Sequence, residues 1–422
     1  SSVTSIELSK RRAMATLLRC REKENLEIIV GNLNDINFEK KYDYITLIGV
    51  LEYQGNYTDT DNPYIDFLSK IKSLLKPEGK LLIAIENKYG LKYWCGASED
   101  HTGIPFDGIN QYEFSDGKVR TFAKKELETL VKESGFKYTY FYYPMPDYKL
   151  PTVIYSEKYL PKNENMLNIK PYYIPNNKSL VAQENKIYKD IIQNGVFEFF
   201  ANSYLVECSD IEKIGEVTFA SLSNRRPKEY QIITRCIQNK QMEKYSIDLI
   251  NGRNHIIQIK KNENDLMSRG LCVWKSELVN EKIASKICTE RTVEEVLLEY
   301  VEEKNIEAVI KMLDKLYIEI KQSSLKVNWE DNILYSFYPD LEKDENKYGD
   351  ILATGYLDMI LRNAFWIDGK YYWFDQEWNL ENVPAKYPMY RAILELYNSY
   401  NYIDNILKFE DVVARYGLVQ AW

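Results

Sequence analysis

Three polar side chains in GYLDMILRNAFWIDGKYYWFDQEW (residues 355–378) have the types and order that phosphoryl transfer requires. Asp358 is followed by Asn363, and Asp375 closes a second aromatic run. In that chemistry one carboxylate orients the acceptor hydroxyl and takes its proton. An amide and a second carboxylate hold the Mg²⁺ ions that neutralise the transferring phosphate. Asp368-Gly369, between two β-rich runs, predicts a tight hairpin carrying Asn363 toward Asp375. The same spacing also suits a surface hairpin whose polar residues are incidental.

A second set of candidates lies near the start. The run VTSIE ends in Glu7, and the loop GNLND carries Asn32, Asn34 and Asp35. A carboxylate at the carboxyl end of a parallel strand sits where open α/β sheets bind nucleosides. The Asn and Asp residues also favour plain turns. Gly49 to Tyr53 (GVLEY) follow a strongly apolar run. Residues 87–114 form a long irregular stretch rich in Gly and aromatics, with Glu99, Asp100 and His101 together. Loops of that length in a compact domain are usually functional or disordered, and the aromatic content argues against disorder. His101 suits a general base or a substrate contact, and equally a hydrogen-bonded loop histidine.

The elements that must position these groups alternate at first. Val3–Glu7, Leu26–Val30, 44–50 and 80–85 read as strands, with helical spacing over 8–21 and 64–75. This predicts a doubly wound α/β sheet. A helix over 121–134 and an antiparallel strand pair at 138–143 and 152–155 follow, closing a first domain near residue 160. Residues 161–179 read as a linker. In the second domain, 180–422, residues 180–194 read as a helix and 217–221, 230–237 and 255–260 as strands. A helical run spans 292–321, opened by a Thr292/Glu295 capping box. Lys261, or Lys260 beside it, then sits at the end of the third strand, with Glu263 as a candidate partner. No Gly-rich phosphate loop is visible, and Asn224, Arg225 and Arg226 are its nearest substitutes.

Composition excludes several function classes. A chain of 422 residues predicts two or three domains. A net charge of −8 argues against a broad nucleic-acid face. Six cysteines without a CxxC pair read as reduced thiols of a cytoplasmic protein. Two histidines poorly supply a His-rich metal site or a Ser-His-Asp triad. No apolar run reaches membrane-spanning length, and no signal peptide opens the sequence.

The ordered set SIELS, GNLNDI, GVLEY and LLKPEGKLLIAIEN resembles class I S-adenosylmethionine-dependent methyltransferases. The resemblance implies that Glu7 takes the cofactor's ribose hydroxyls and that Asn32, Asn34 or Asp35 reaches the adenine. It further implies that Gly49 to Tyr53 floor the methyl site, with Tyr53 and His101 near the acceptor. The family also has one more strand and a Gly-rich loop ahead of Val3, so the sequence is expected to begin inside its domain. The stretch 355–378 resembles the core of kinase-like phosphotransferases, with Tyr356 where a His is usual. That implies Asp358 as base, Asn363 and Asp375 as metal ligands, and Lys260 or Lys261 on ATP phosphates, in an α+β bilobal domain. A methyltransferase followed by a kinase-like domain is similar to bifunctional enzymes that end bacterial O-antigen chains. That arrangement implies a glycan or lipid-linked glycan acceptor, a glycosyltransferase partner or module, and peripheral membrane association. Two alternatives stand beside it: a methyltransferase with an inactive pseudokinase, and a non-catalytic interaction protein of a polysaccharide assembly.

Overall fold

The computed structural model describes residues 2–162 and 181–418, so the expected linker lies almost wholly outside the described residues. The chain forms two compact units, one of Ser1–Leu222 with Ile237–Asn239 and one of Ser223–Cys236 with Lys240–Trp422. The first unit therefore runs well past residue 160, where the first domain was expected to end.

In the first unit, strand β1 (Val3–Glu7), helix α1 (Lys10–Arg19) and strand β2 (Leu26–Val30) form a β-α-β unit with the two strands parallel and Glu7 opposite Val30. Strand β3 (Tyr42–Ile48) is followed by the single turn α2 (Gln54–Tyr57) and by α3 (Pro63–Ser73), whose proline sits in the first turn where its missing N–H costs nothing. Strand β4 (Leu75–Glu86) runs parallel to β3. The turn α4 (Leu91–Trp94), helix α5 (Lys124–Glu133) and antiparallel strands β5 (Tyr138–Met145) and β6 (Val153–Ser156) come next. Helix α6 (Glu184–Gln193), the turn α7 (Phe197–Phe200) and strands β7 (Ser203–Ser209) and β8 (Val217–Leu222) complete the unit. Its main sheet has the order β3-β4-β7-β5-β6-β8.

This sheet is mixed rather than uniformly parallel, because β7 enters between β4 and β5 and runs antiparallel to both. Val206 and Cys208 of β7 are buried in the same core as Leu81, Ile83 and Ile85 of β4 and Phe141 of β5. Helix α6, expected in the second domain, puts Tyr188 and Ile191 into that core. Burial of such side chains contributes about 1.5–3 kcal/mol each. The run of β3 is strongly apolar, yet Tyr44 is 63% exposed and Ile48 52%. Strand β3 ends its sheet, so only the β4 side is paired.

In the second unit, β9 (Ile232–Ile237), β10 (Gln241–Ser246), β11 (Ser276–Val279) and β12 (Lys282–Lys286) form a sheet in the order β11-β12-β10-β9. Helix α8 (Arg253–Ser268) separates β10 from β11 in sequence. It packs Ile256 and Ile259 against Ile232 and Ile283. The strand expected at 255–260 is therefore the start of this helix. The run HIIQIKK permits both periods, but burial of His255, Ile256, Ile259, Glu263 and Leu266 follows the helical one. Lys260 and Lys261 thus lie on a helix and not on a strand.

The helical run from 292 is two helices, α9 (Val293–Glu302) and α10 (Ile306–Gln322), separated at Lys304, whose φ is 57°. The Thr292/Glu295 capping box is present. Strand β13 (Lys326–Val327), the turn α11 (Glu345–Tyr348) and β14 (Ile351–Tyr356) follow. The expected hairpin is there, as β15 (Ala364–Ile367) and β16 (Lys370–Trp373). Asp368 and Gly369 both have positive φ, 48° and 73°, the mirror-image turn that matches strand twist. Strand β17 (Asn379–Pro384) pairs with β14, and helices α12 (Lys386–Ser399) and α13 (Phe409–Arg415) close the core around Trp373, Leu316 and Ile393. No helix among the described residues is long and apolar enough to cross a membrane. All six cysteines are free thiols.

Candidate functional site

The carboxyl ends of β3 and β4 gather charge that burial would normally forbid. Glu86 is the last residue of β4, and Glu52 lies in the turn after β3; each is 1% exposed. His101, from the stretch after α4, brings Nε2 to 3.4 Å from Glu52 Oε1 and 4.0 Å from Glu86 Oε2. Its Nδ1 meets Glu99 Oε1 at 3.1 Å, while Glu99 Oε2 accepts the backbone N–H groups of His101 and Thr102, both at 2.7 Å. Burial opposes a charge on His101, but the hydrogen bonds with Glu52 and Glu99 outweigh it and push its pKa up to about 10. Burial raises the pKa of Glu52. Burial also opposes ionisation of Glu99, yet His101 and the Thr102 N–H outweigh it and lower its pKa.

The cluster extends on one side through Glu86. Lys149 ion-pairs with Glu86, and Tyr148 donates to Glu86 Oε1 at 3.3 Å. Asp147, fully buried after β5, accepts from Lys92 at 3.1 Å, and Lys92 also pairs with Asp100. Burial would discharge Lys92, but Asp147 and Asp100 hold its pKa well above the usual range. Glu52 Oε2 and Glu86 Oε2 have no hydrogen-bond partner. Gly49, with φ of 62°, is required beside them, since a Cβ there would meet Tyr148 Oη at 2.9 Å. Tyr53 packs edge-on against His101 with ring centroids 5.2 Å apart. The stretch 87–114 was expected to be a long irregular functional loop. It is largely an interior segment, with Tyr93, Cys95, Glu99, Asp107 and Tyr112 buried.

Glu7 stands at the carboxyl end of β1 as expected, where its Oε1 accepts the Ser9 N–H at 2.8 Å and meets Arg12 Nε at 3.2 Å. Asn32 and Asn34 both donate to the Tyr57 carbonyl, at 3.2 and 2.9 Å, tying this loop to α2. Asp35 follows on a short 3-10 turn. These residues fit a nucleoside-bearing cation. A strand-end carboxylate is present, and two partnerless carboxylate oxygens offer negative charge to a sulfonium.

In the second unit Asp358 and Asn363 are joined directly, while the Asp375 carboxylate is engaged by Lys244. Asn363 Nδ2 donates to the Asp358 carbonyl at 3.1 Å, and the Phe374 N–H donates to the Asn363 carbonyl at 2.9 Å. The Asp358 carboxylate accepts the N–H groups of Glu377 and Trp378, at 3.0 and 2.8 Å. Burial raises its pKa, against the pull of the Trp378 N–H. Asp375, with φ of 56°, ion-pairs with Lys244 of β10. Lys244 also lies 3.3 Å from Glu377, which Arg226 and, at 3.5 Å, His255 approach as well. Burial opposes ionisation of Glu377, but His255, Lys244 and Arg226 bring its pKa down to about 2.

Lys244, and not Lys260 or Lys261, is the lysine that meets Asp375. Lys260 instead bonds Glu263 at 3.0 Å and Ser276, and Lys261 is exposed. Sequence reading missed Lys244 because it missed β10, whose residues QMEKYS carry no alternation of polar and apolar side chains. Asn262 of α8 ties the motif in place, donating to the carbonyls of Gln376 and Glu377. The carboxylates of this site do not fit a metal cradle in this arrangement. Asp358 is taken by backbone and Asp375 by Lys244. Among the described residues the group of acids and histidines close enough to share an ion is Glu52, Glu86 and His101.

Residues 4–140 match a family model described as a methyltransferase domain. No curated protein matches the chain. Solved structures similar to it include a Thermotoga maritima S-adenosylmethionine-dependent methyltransferase described as a possible histamine N-methyltransferase. It is 14% identical, with a TM-score of 0.28, over 49% of this chain and 72% of that one. The citrinin polyketide synthase CMeT domain is 9% identical, TM-score 0.27, over 50% of this chain and 39% of that one. A Nostoc punctiforme protein described as a putative O-methyltransferase is 16% identical, TM-score 0.24, over 34% of this chain and 41% of that one. The chain therefore spans well under half of two of these three, and at such TM-scores the likenesses carry no weight for activity or substrate.

Proposed function

We propose that the first unit is an S-adenosylmethionine-dependent methyltransferase and the second a kinase-like nucleotide-binding domain, acting together on the end of a bacterial surface glycan. The observation that carries the first half is the Glu52, Glu86 and His101 group at the ends of β3 and β4, inside the residues that match a methyltransferase domain. When bound, S-adenosylmethionine supplies a methyl group on a positively charged sulfonium. Glu7 would hold the ribose hydroxyls, with Asn32, Asn34 and Asp35 bordering the adenine. Gly49 keeps the backbone open beside Tyr148. Glu52 and Glu86 favour positive charge at the reacting end, and Tyr53 and His101 wall the acceptor side.

The second half is supported by Lys244 and Arg226 meeting Asp375 and Glu377. Two fixed cations over one hairpin base suit a polyphosphate. A second reading, a domain that binds a nucleotide without transferring phosphate, is favoured by one observation. The Asp358 carboxylate already holds two backbone N–H groups, which is a structural task. The glycan acceptor and a glycosyltransferase partner rest on the order of the two units alone.

Methyl-labelled S-adenosylmethionine and γ-labelled ATP, offered with short glycans with and without a terminal phosphate, test both halves. Methyl label in a glycan is the expected result. Methyl label without phosphate label selects the binding-only second domain. Label in neither, with the full-length protein folded, removes the proposal.

A further inference from the structure

We propose that Glu52, Glu86 and His101 bind one divalent transition-metal ion, with Glu99 orienting the imidazole. Ligand atoms from all three residues lie within 4.8 Å of one another. A tetrahedral ion with bonds of about 2.1 Å sets its ligand atoms about 3.4 Å apart. The separation of His101 Nε2 from Glu52 Oε1 is 3.4 Å, and from Glu86 Oε2 it is 4.0 Å. Small side-chain rotations close the remainder.

Two further observations point to a cation. Glu52 Oε2 and Glu86 Oε2 are buried and accept no hydrogen bond, in residues only 1% exposed, and the nearest charge to Glu86 Oε2 is His101 Nε2 at 4.0 Å. An uncompensated buried carboxylate oxygen is costly. Glu86 is divided in use: Oε1 meets Lys149 and Tyr148, while Oε2 faces the imidazole. The second observation is the contact behind the ring. Glu99 Oε1 lies 3.1 Å from His101 Nδ1 and is itself fixed through its other oxygen by two backbone N–H groups. A carboxylate on the far nitrogen is the usual support of a metal-binding histidine, since it fixes the tautomer; an ion bound here would take the place of the Nε2 proton that faces Glu52. One imidazole and two carboxylates suit Mn²⁺ or Zn²⁺ better than Mg²⁺ or Ca²⁺, which prefer all-oxygen sets.

The proposal stands on this geometry and goes beyond methyl transfer: a protein that held the ion but moved no methyl group would keep the site and lose the activity. Chelator-treated protein, without cofactor, would be titrated with MnCl₂ by electron paramagnetic resonance and with ZnCl₂ by calorimetry. One ion per chain is expected, with affinity falling at least tenfold in Glu52→Gln and binding lost in His101→Ala. Asp375→Asn should bind as wild type does. X-ray absorption of Zn²⁺-loaded wild-type protein gives a readout independent of how the variants fold, and should find one imidazole among oxygen ligands. Absence of stoichiometric binding, an ion without imidazole, or unchanged binding in His101→Ala would each overturn the proposal.

Discussion

The two units bury charge with different balance. Around His101 three carboxylates converge, and two of their oxygens accept no hydrogen bond. Around Glu377 acids and bases are matched: Arg226 and Lys244 both meet it, Lys244 also pairs with Asp375, and His255 lies beside them. Buried charges are tolerated when paired, and the sign left over tells what a ligand must bring. The first cluster asks for a cation, whether sulfonium or metal. The second leaves no such surplus, so an anion such as a phosphate chain would have to displace Asp375 or Glu377 from Lys244 and Arg226. The contrast also says which clusters hold the fold together and which await something.

Removing one acid from each cluster should break the comparison most sharply if it is wrong. Glu377→Ala removes a buried acid from its pairs with Arg226 and Lys244 and should cost about 3–5 kcal/mol, read from urea denaturation. Glu52→Gln removes an acid from a surplus, so a loss under about 1 kcal/mol is expected in the same measurement. Equal losses would erase the distinction. Asp358→Ala should also cost far more than Glu52→Gln, about 2–6 kcal/mol, because it orphans the N–H groups of Glu377 and Trp378 at about 1–3 kcal/mol each.

Alkaline stability tests burial in both units at once. Burial, with Glu184 nearby, raises the pKa of Tyr188 well above its usual value. Burial, with Asp265 nearby, pushes Tyr356 up to about 12. The unfolded chain ionises tyrosine near pH 10. The folded form therefore keeps its full stability below that pH and loses it as pH rises toward the folded values. Tyrosinate absorbance from these residues should appear together with unfolding; smooth ionisation in a folded protein would contradict their burial. Smaller effects follow from local detail. Tyr188 Oη is buried without a partner, so Tyr188→Phe should be neutral or stabilising by up to about 1 kcal/mol in thermal melts. Lys261→Ala should change stability by less than about 0.5 kcal/mol, as an exposed helix position does.

Local patterns carried much of this in the sequence. The hairpin turn at Asp368-Gly369, the capping box at Thr292 and the strand ending in Glu7 were legible because neighbouring residues decide them. Asp358, Asn363 and Asp375 were found by spacing along one short stretch. What escaped depends on distant partners. Strand β7 lies between β4 and β5, yet its sequence is more than fifty residues from β5, so no local signal could place it. The role of Lys244 needed β10 paired with β12. Glu86 was overlooked because it ends an apolar strand, and only the fold brings it to His101. The 255–260 run was misread because two periods fit the same short sequence.

The claim on which the rest depends is that the first unit takes S-adenosylmethionine at its strand ends. Calorimetric titration of the full-length protein, wild type against Glu7→Ala, tests it most directly. Binding that weakens at least tenfold on substitution is expected. Absent binding, or equal affinity in the two proteins, would contradict it.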